Sequence, residues 1–290
     1  MRHILLISGK DSLATALVQI AQEPSLPYEL VHNDVGWDLP ETLAWIERVG
    51  EYFQRPIIKC GDDLTEICIE QNCLPLAGVR RFCTKYAKIK PLNDYLGTAP
   101  ATLYFGLRFD EPERVGYEAP KHQAVRYPLR DARMGINEVW RLCQSVNLLP
   151  PTFHWQWMES RVRELLGGDG WLLDELEPWE RASLLAWRSR SNCDRCMYAR
   201  LYERAGLYEH YPDRYEAACQ LEDRLCHRDE HTWVKGYRLR NLIPRFPAIK
   251  EKRARAVVKY LRTKQQTALF EGELVFDELA LTSCGLLCGK

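Results

Sequence analysis

Three sets of residues in this chain have the types and spacing for chemistry. The first is Ser8-Gly9-Lys10-Asp11-Ser12, set between the apolar run 3–7 and the apolar-periodic run 13–21. That pattern reads as a buried strand, a tight turn and a helix. The first-turn amides of such a helix can hold an anion, helped by the helix dipole. Lys10 adds a point charge, and Ser8 and Ser12 add hydroxyls able to reach phosphate oxygens. A plain strand–turn–helix capped by Asp11 or Ser12 accounts for the same residues. The spacing is neither that of a Walker A loop nor that of a dinucleotide G-x-G-x-x-G.

The second set is sulfur. Asn192-Cys193-Asp194-Arg195-Cys196 precedes a predicted helix at 197–205, and Cys284-Gly-Leu-Leu-Cys288 stands near residue 290. Two cysteines three apart where a loop enters a helix make a metal knuckle, since the helix start favours negative sulfur. Together the two pairs could form a four-sulfur site. Cys83 lies in the basic stretch 80–92, with Arg80, Arg81, Lys85, Lys88 and Lys90. That stretch reads as a solvated helix face, as a cationic rim for a polyphosphate, or as the setting of a low-pKa thiol. Cys60, Cys68, Cys73, Cys143, Cys219 and Cys226 read as ordinary core or surface thiols.

The third is Arg108, one step past a predicted strand at 101–106 and well placed to clamp phosphate bidentately. The elements that must position these groups alternate. Strands are predicted at 28–33 and 56–60, and helices at 40–53, with Pro40 at its start, at 62–73 and from 135 to 143. This order implies an α/β protein with a doubly wound, mostly parallel sheet. Ligands in such sheets bind at the carboxyl ends of strands near the reversal of strand order. Ser8–Ser12 and the loop 33–37 both follow strand ends, so both are expected at one pocket.

Composition sets the bounds. The 290 residues are 46% hydrophobic and 28% charged, with 40 basic and 40 acidic side chains, so whole-chain charge gives no argument for nucleic acid. No apolar run is long enough to cross a bilayer, and no signal-peptide pattern is present, which makes the cytoplasm the expected compartment. An odd count of 11 cysteines, widely scattered, argues against a disulfide framework.

Four segments in one order resemble the phosphoadenosine phosphosulfate reductase and PP-loop ATP pyrophosphatase superfamily, whose fold is adenine nucleotide α-hydrolase-like. They are S-G-K-D-S at 8–12, similar to the superfamily's S-G-G-x-D-S with one Gly fewer; N-D-V-G-W-D-L-P-E-T at 33–42; G-L-R-F-D-E-P-E-R at 106–114; and Y-P-L-R-D with N-E-V-W within 127–140, where Ala132 stands in place of a frequent Trp. The resemblance covers roughly residues 1–153. It implies an adenine nucleotide gripped by Ser8, Gly9, Lys10, Asp11 and Ser12, with Gly106, Arg108 and Arg114 near its phosphates and Asn33, Asp34 and Gly36 beside the adenosine. Superfamily members that use ATP keep the Lys-Asp pair present here as Lys10-Asp11. The implied activity is therefore ATP cleavage between the α and β phosphates, giving AMP and pyrophosphate. A substrate oxygen is adenylylated and AMP is then displaced by a sulfur nucleophile. Mg²⁺, Lys10 and Arg108 would share the pyrophosphate charge, and Asp11 and Asp34 are candidate bases or metal-orienting groups. A genuine phosphosulfate reductase and a non-catalytic nucleotide-binding scaffold are the rival readings.

The same resemblance suggests a [4Fe–4S] cluster on Cys83, Cys193 and Cys196, either completed by Cys284 or Cys288 or left three-coordinated with an open iron that holds sulfur, with Zn²⁺ as the alternative occupant. Ser283-Cys284-Gly285 is also faintly similar to the reactive tail of phosphosulfate reductases. Residues 154–191 have no counterpart in the resemblance and carry Trp155, Trp157, Trp171, Trp179 and Trp187. They read as a helical hairpin filling a groove, or as a lid or docking surface for a sulfur-donor or other partner protein or a macromolecular substrate. The segment 192–290 is expected to be helical and to bear the cysteine site. Its basic helix at 248–263 reads as a solvated face, with an inward stripe of Ile249, Ala256, Val257, Tyr260 and Leu261, or as a contact for a nucleic-acid substrate.

Overall fold

A computed structural model describes residues 1–76, 82–114, 116–151, 155–188, 191, 193–226 and 231–268. Five short strands form one all-parallel sheet in the order β3-β2-β1-β4-β5, where β1 is Arg2–Leu6, β2 Tyr28–Asn33, β3 Ile57–Cys60, β4 Ala101–Tyr104 and β5 Gln123–Arg126. β1 is central, pairing His3 with Tyr28 on one side and Arg2 with Ala101 on the other. The chain winds outward from β1 to β3, then crosses back to place β4 on the far side of β1. The order of strands therefore reverses between β1 and β4. β5 was not among the predicted strands, because QAVR is too short and too polar for its alternation to register.

Helices cover both faces. Helix α1 (Lys10–Gln22), α2 (Pro40–Tyr52) and the helix Ile136–Ser145 pack on one side through Leu13, Ala14, Trp45, Ile46, Val49 and Val139. Leu92 and Leu96 of the helix Lys90–Leu96 pack on the other, against Ile4, Val31 and Leu103. Strand residues alternate between these faces, Leu5 and Leu30 to the first and Ile4 and Val31 to the second.

The remaining helices share cores with the sheet. Val35, Trp37, Leu64 and Cys68 are buried together with Trp187, Leu207, Trp233 and Phe246. Trp140 stacks on Trp179, ring centres 5.8 Å apart, in a cluster with Met158, Leu173, Val257 and Leu261. The tryptophans at 179 and 187 thus pack inward, while Trp171 is exposed.

Two expectations for the later segments are corrected. Residues 193–199 form turns, and the helix begins at Leu201 instead of 197. The basic helix is Phe246–Ala268, and its inward stripe holds Ile249, Val257, Tyr260 and Leu261 as expected, together with Arg253, Ala254 and Val258, while Ala256 is exposed. Its cations are largely matched within the chain: Lys250 meets Glu209, Arg255 meets Glu251, Arg262 meets Asp169 and Lys264 meets Glu180. No described helix is long and apolar enough to cross a membrane.

Candidate functional site

The end of β1 delivers the chain directly into α1, whose first backbone bond runs from Leu13 N–H to Gly9 O (3.0 Å). The amides of Asp11 and Ser12 precede that bond and have no acceptor within the helix. Gly9 is extended at φ 177°, a conformation open to any residue, so the turn does not require glycine for its backbone. Ser12 Oγ accepts from the amides of Ser8 (2.8 Å) and Gly9 (2.9 Å) and donates to Gly9 O (2.7 Å). The Ser12 hydroxyl therefore sits in the concavity made by the loop amides, where a phosphate oxygen would compete for the same donors. Ser191 covers this loop: a Cβ on Gly9 would lie 3.7 Å from its Oγ, which is buried and has no hydrogen-bond partner among the described residues.

β4 brings a second loop against the first. A Cβ on Gly106 would stand 2.7 Å from the Asp11 carbonyl carbon, so only glycine lets the two backbones approach. Just beyond, Arg108 spans three carboxylates: Asp11 at 3.2 Å, Asp110 at 2.8 Å and Glu111 at 3.4 Å. Lys10 Nζ is 3.6 Å from Asp11 and lies over the Trp140 ring at 5.6 Å. Arg114 pairs with Glu111 (2.9 Å), and Arg130 donates to the carbonyls of Glu111 and Arg114. Lys10, Arg108, Arg114 and Arg130 thus share this corner with Asp11, Asp110 and Glu111, and Glu138 joins them at the Gly135 turn beside Asp110. Burial pushes the Asp11 carboxyl up, but Lys10 and Arg108 outweigh it and hold it below its usual range.

Arg108 holds Asp11 and Asp110, while Asp110 also accepts from the Ile136 amide at a helix start (2.9 Å). The half-exposed Arg114 is the more open of the two arginines. Asp110 and Arg130 lay within recognised segments but carried no role in the sequence reading, because their partners are long-range.

The loop after β2 lies one strand away. Asn33 Oδ1 accepts from Cys60 Sγ (3.2 Å), and Asp34 Oδ1 accepts from the Gly36 amide (3.0 Å). His32 and Asp38 join Asp34 there, with one potential ligand atom from each lying within 4.8 Å of the others. The signal for His32 was its place two residues before Asp34 in extended chain, which puts both on one side.

The cysteine turn docks on this loop. Asp194 N–H donates to Trp37 O (2.7 Å), and Arg214 joins the Asp38 carbonyl (3.0 Å) to the Asp194 carboxylate (2.8 Å). Arg188 donates to Cys193 O (2.5 Å) and Arg204 to Cys196 O (2.6 Å). Cys83, Cys193 and Cys196 all lie in the field of Lys88. Burial pushes the Cys193 thiol up to about 12, against the pull of Lys88. Three cysteines 110 or more positions apart in part are thus assembled, with cations around them, as a soft metal group would require. Their sulfurs do not all lie within 4.8 Å of one another. A zinc tetrahedron, with thiolates about 3.8 Å apart from Zn–S bonds of about 2.3 Å, would need them to move closer. Cys284 and Cys288 lie outside the described residues. Mixed α/β architecture and this site are what the chain offers for comparison, and no protein-family model and no curated protein matches it.

Proposed function

We propose that the chain is an enzyme with the adenine nucleotide α-hydrolase-like fold that its sequence resembles. In this reading it binds ATP with the polyphosphate at the start of α1, activates a substrate oxygen by cleavage between the α and β phosphates, and transfers sulfur. The observation that carries the reading is the placing of Lys10 and Asp11 at the carboxyl end of the central strand, with Arg108 reaching Asp11 from the end of β4 (3.2 Å). That crevice, where strand order reverses, is where open parallel sheets bind ligands.

The substrate oxygen attacks the α-phosphorus, the bond to the α–β bridging oxygen breaks, and pyrophosphate leaves. Lys10 and Arg114 meet the charge that develops on the leaving group. Arg108 changes partners, because phosphate oxygens compete with Asp11 for it. A sulfur nucleophile then attacks the activated carbon, the carbon–oxygen bond breaks, and AMP leaves. Mg²⁺ bound to the phosphates would supply further charge neutralisation, with Asp11 orienting it. Cys83, Cys193 and Cys196, with Cys284 or Cys288, would hold a [4Fe–4S] cluster, whose iron can carry sulfur or electrons; Zn²⁺ is the alternative. Lys88, Arg188 and Arg204 offset the negative charge that thiolates bring to this turn.

Incubation of the purified protein with ATP and Mg²⁺ tests the reading: AMP and pyrophosphate appear together, and both are lost in a Lys10→Ala, Asp11→Ala double variant. A parent protein that ignores ATP sinks it. ATP binding without turnover makes the chain a nucleotide-binding scaffold, and thiol-dependent release of sulfite from a phosphosulfate makes it a reductase.

A further inference from the structure

We infer that His32, Asp34 and Asp38 form a binding site for a divalent transition cation of the Mn²⁺ or Zn²⁺ class, distinct from the loop Ser8–Ser12. His32 is 3% exposed and Asp38 8%. The ring's Nδ1 lies 2.8 Å from Ile7 O. A carbonyl oxygen only accepts, so Nδ1 carries the donated proton, and in the neutral ring Nε2 presents a lone pair. Nε2 is buried with no hydrogen-bond partner, yet it stands 3.3 Å from an Asp38 carboxylate oxygen. Two lone pairs at that distance repel, so a positive charge belongs between them, either a proton on Nε2 or a cation held by both residues.

The second carboxylate decides between these. A proton on Nε2 answers one carboxylate, whereas a dication answers Asp34 and Asp38 together; Lys59 reaches Asp34 electrostatically, but its ammonium is paired with Glu47 (2.8 Å). Asp34 is firmly placed: its N–H donates to Cys60 O (2.7 Å), and a Cβ on Gly61 would fall 2.2 Å from its carbonyl oxygen. Lys88 also reaches Asp38 electrostatically, though its strongest partner is Cys193, and Arg214 bonds the Asp38 carbonyl and not its carboxylate. The bond from Nδ1 to a backbone carbonyl is the outer support that metal-bound histidines ordinarily have. One imidazole with two carboxylates suits Mn²⁺ or Zn²⁺ better than the all-oxygen preference of Mg²⁺ or Ca²⁺. Three protein ligands leave further positions to water.

Mn²⁺ alone is the probe, because thiolates favour softer ions and the cysteines then do not compete. Nucleotide is left out, so the outcome is independent of the ATP reading. Metal-stripped full-length protein titrated with Mn²⁺, with the free ion followed by electron paramagnetic resonance, is expected to bind one ion per chain. Asp38→Asn and Asp34→Asn each weaken binding at least about 100-fold, the upper end of what losing a supporting partner alone costs. Asp62→Asn, which removes an exposed neighbouring carboxylate, leaves binding unchanged. Circular dichroism checks that each variant folds. Pulsed measurements on the bound ion in the parent protein are expected to show nitrogen coupling from the imidazole, a readout that needs no variant. No binding at millimolar Mn²⁺, undiminished binding in both aspartate variants, loss of binding in Asp62→Asn, or a bound ion without nitrogen coupling each overturns the site.

Discussion

Gly106 and Asp11 touch backbone to backbone: a methyl group on Gly106 would stand 2.7 Å from the Asp11 carbonyl carbon and 2.8 Å from its oxygen. This contact fastens the end of β4 to the start of α1 at the reversal in strand order. Neither backbone can retreat cheaply, since one continues a central strand and the other opens a packed helix. Gly106→Ala is therefore expected to destabilise the protein by about 1–3 kcal/mol, the usual cost of overpacking. Gly9→Ala meets only ordinary contacts, 3.6 Å from Ser191, and is expected to lie within about 1 kcal/mol of the parent. Urea unfolding of the two variants checks this, and equal losses would show that the close approach does not matter.

The Asp11 carboxyl is held below its ordinary value of 3.8, burial opposing and Lys10 and Arg108 overcoming that opposition. A depressed acid contributes stability that is full above the unfolded value and fades as pH falls below it. Asp11→Asn is expected to cost about 1–3 kcal/mol at pH 7, where Arg108 loses a charged partner. The gap between parent and variant should narrow as the pH falls below 3.8 and close once it is under the depressed folded value. Denaturation midpoints along that fall in pH test this, and a gap that stays constant with pH counts against the ion network.

The anion corner makes a sharper demand of Lys10 and Ser191. Lys10→Met is expected to lower pyrophosphate release by about 100-fold, the scale of losing one charge-stabilising donor. Ser191→Ala, which removes a buried hydroxyl over Gly9, should weaken ATP binding by about five- to tenfold, equivalent to about 1 kcal/mol. Isothermal titration separates the two effects. Unchanged affinity in Ser191→Ala would remove that residue from the pocket.

Much of this arrangement could be read from local signals. The apolar runs ending at residue 7 and at Asn33, each followed by polar punctuation, placed both loops past strand ends, where they are found. What escaped was set by distance along the chain. Asp11 and Arg108 are 97 positions apart, and their meeting depends on a crossover that no local pattern reports. Asp34 reads as a candidate base or metal-orienting group, whereas His32 inside an apolar strand and Asp38 in the loop that follows have no assigned role; only the fold turns all three toward one point. The turn at 193–199 resembled a helix start because its residues tolerate both states. Its carbonyls are taken instead by Arg188 and Arg204, which arrive from either side.

Metal content discriminates among the cysteines. After anaerobic purification the parent is expected to hold iron and to absorb in the visible blue, while Cys193→Ser and Cys196→Ser lose most of it. A chain ending at residue 268 tests the tail pair: full retention of iron means that Cys83, Cys193 and Cys196 suffice without Cys284 or Cys288. Colourless parent protein containing zinc would remove the cluster in favour of the smaller ion.

Val35 and Leu64, beside the sheet, lie in one apolar cluster with Trp187, Trp233 and Phe246, all more than a hundred positions later. Among the described residues, the two ends of the chain therefore share one interior. Cutting the chain near residue 150 would strip a wall from that interior and wet large aromatic rings on both fragments. A trimmed version meant to keep only the first loop would have to be given new surface residues at Val35, Trp37 and Leu64 before it could stand alone.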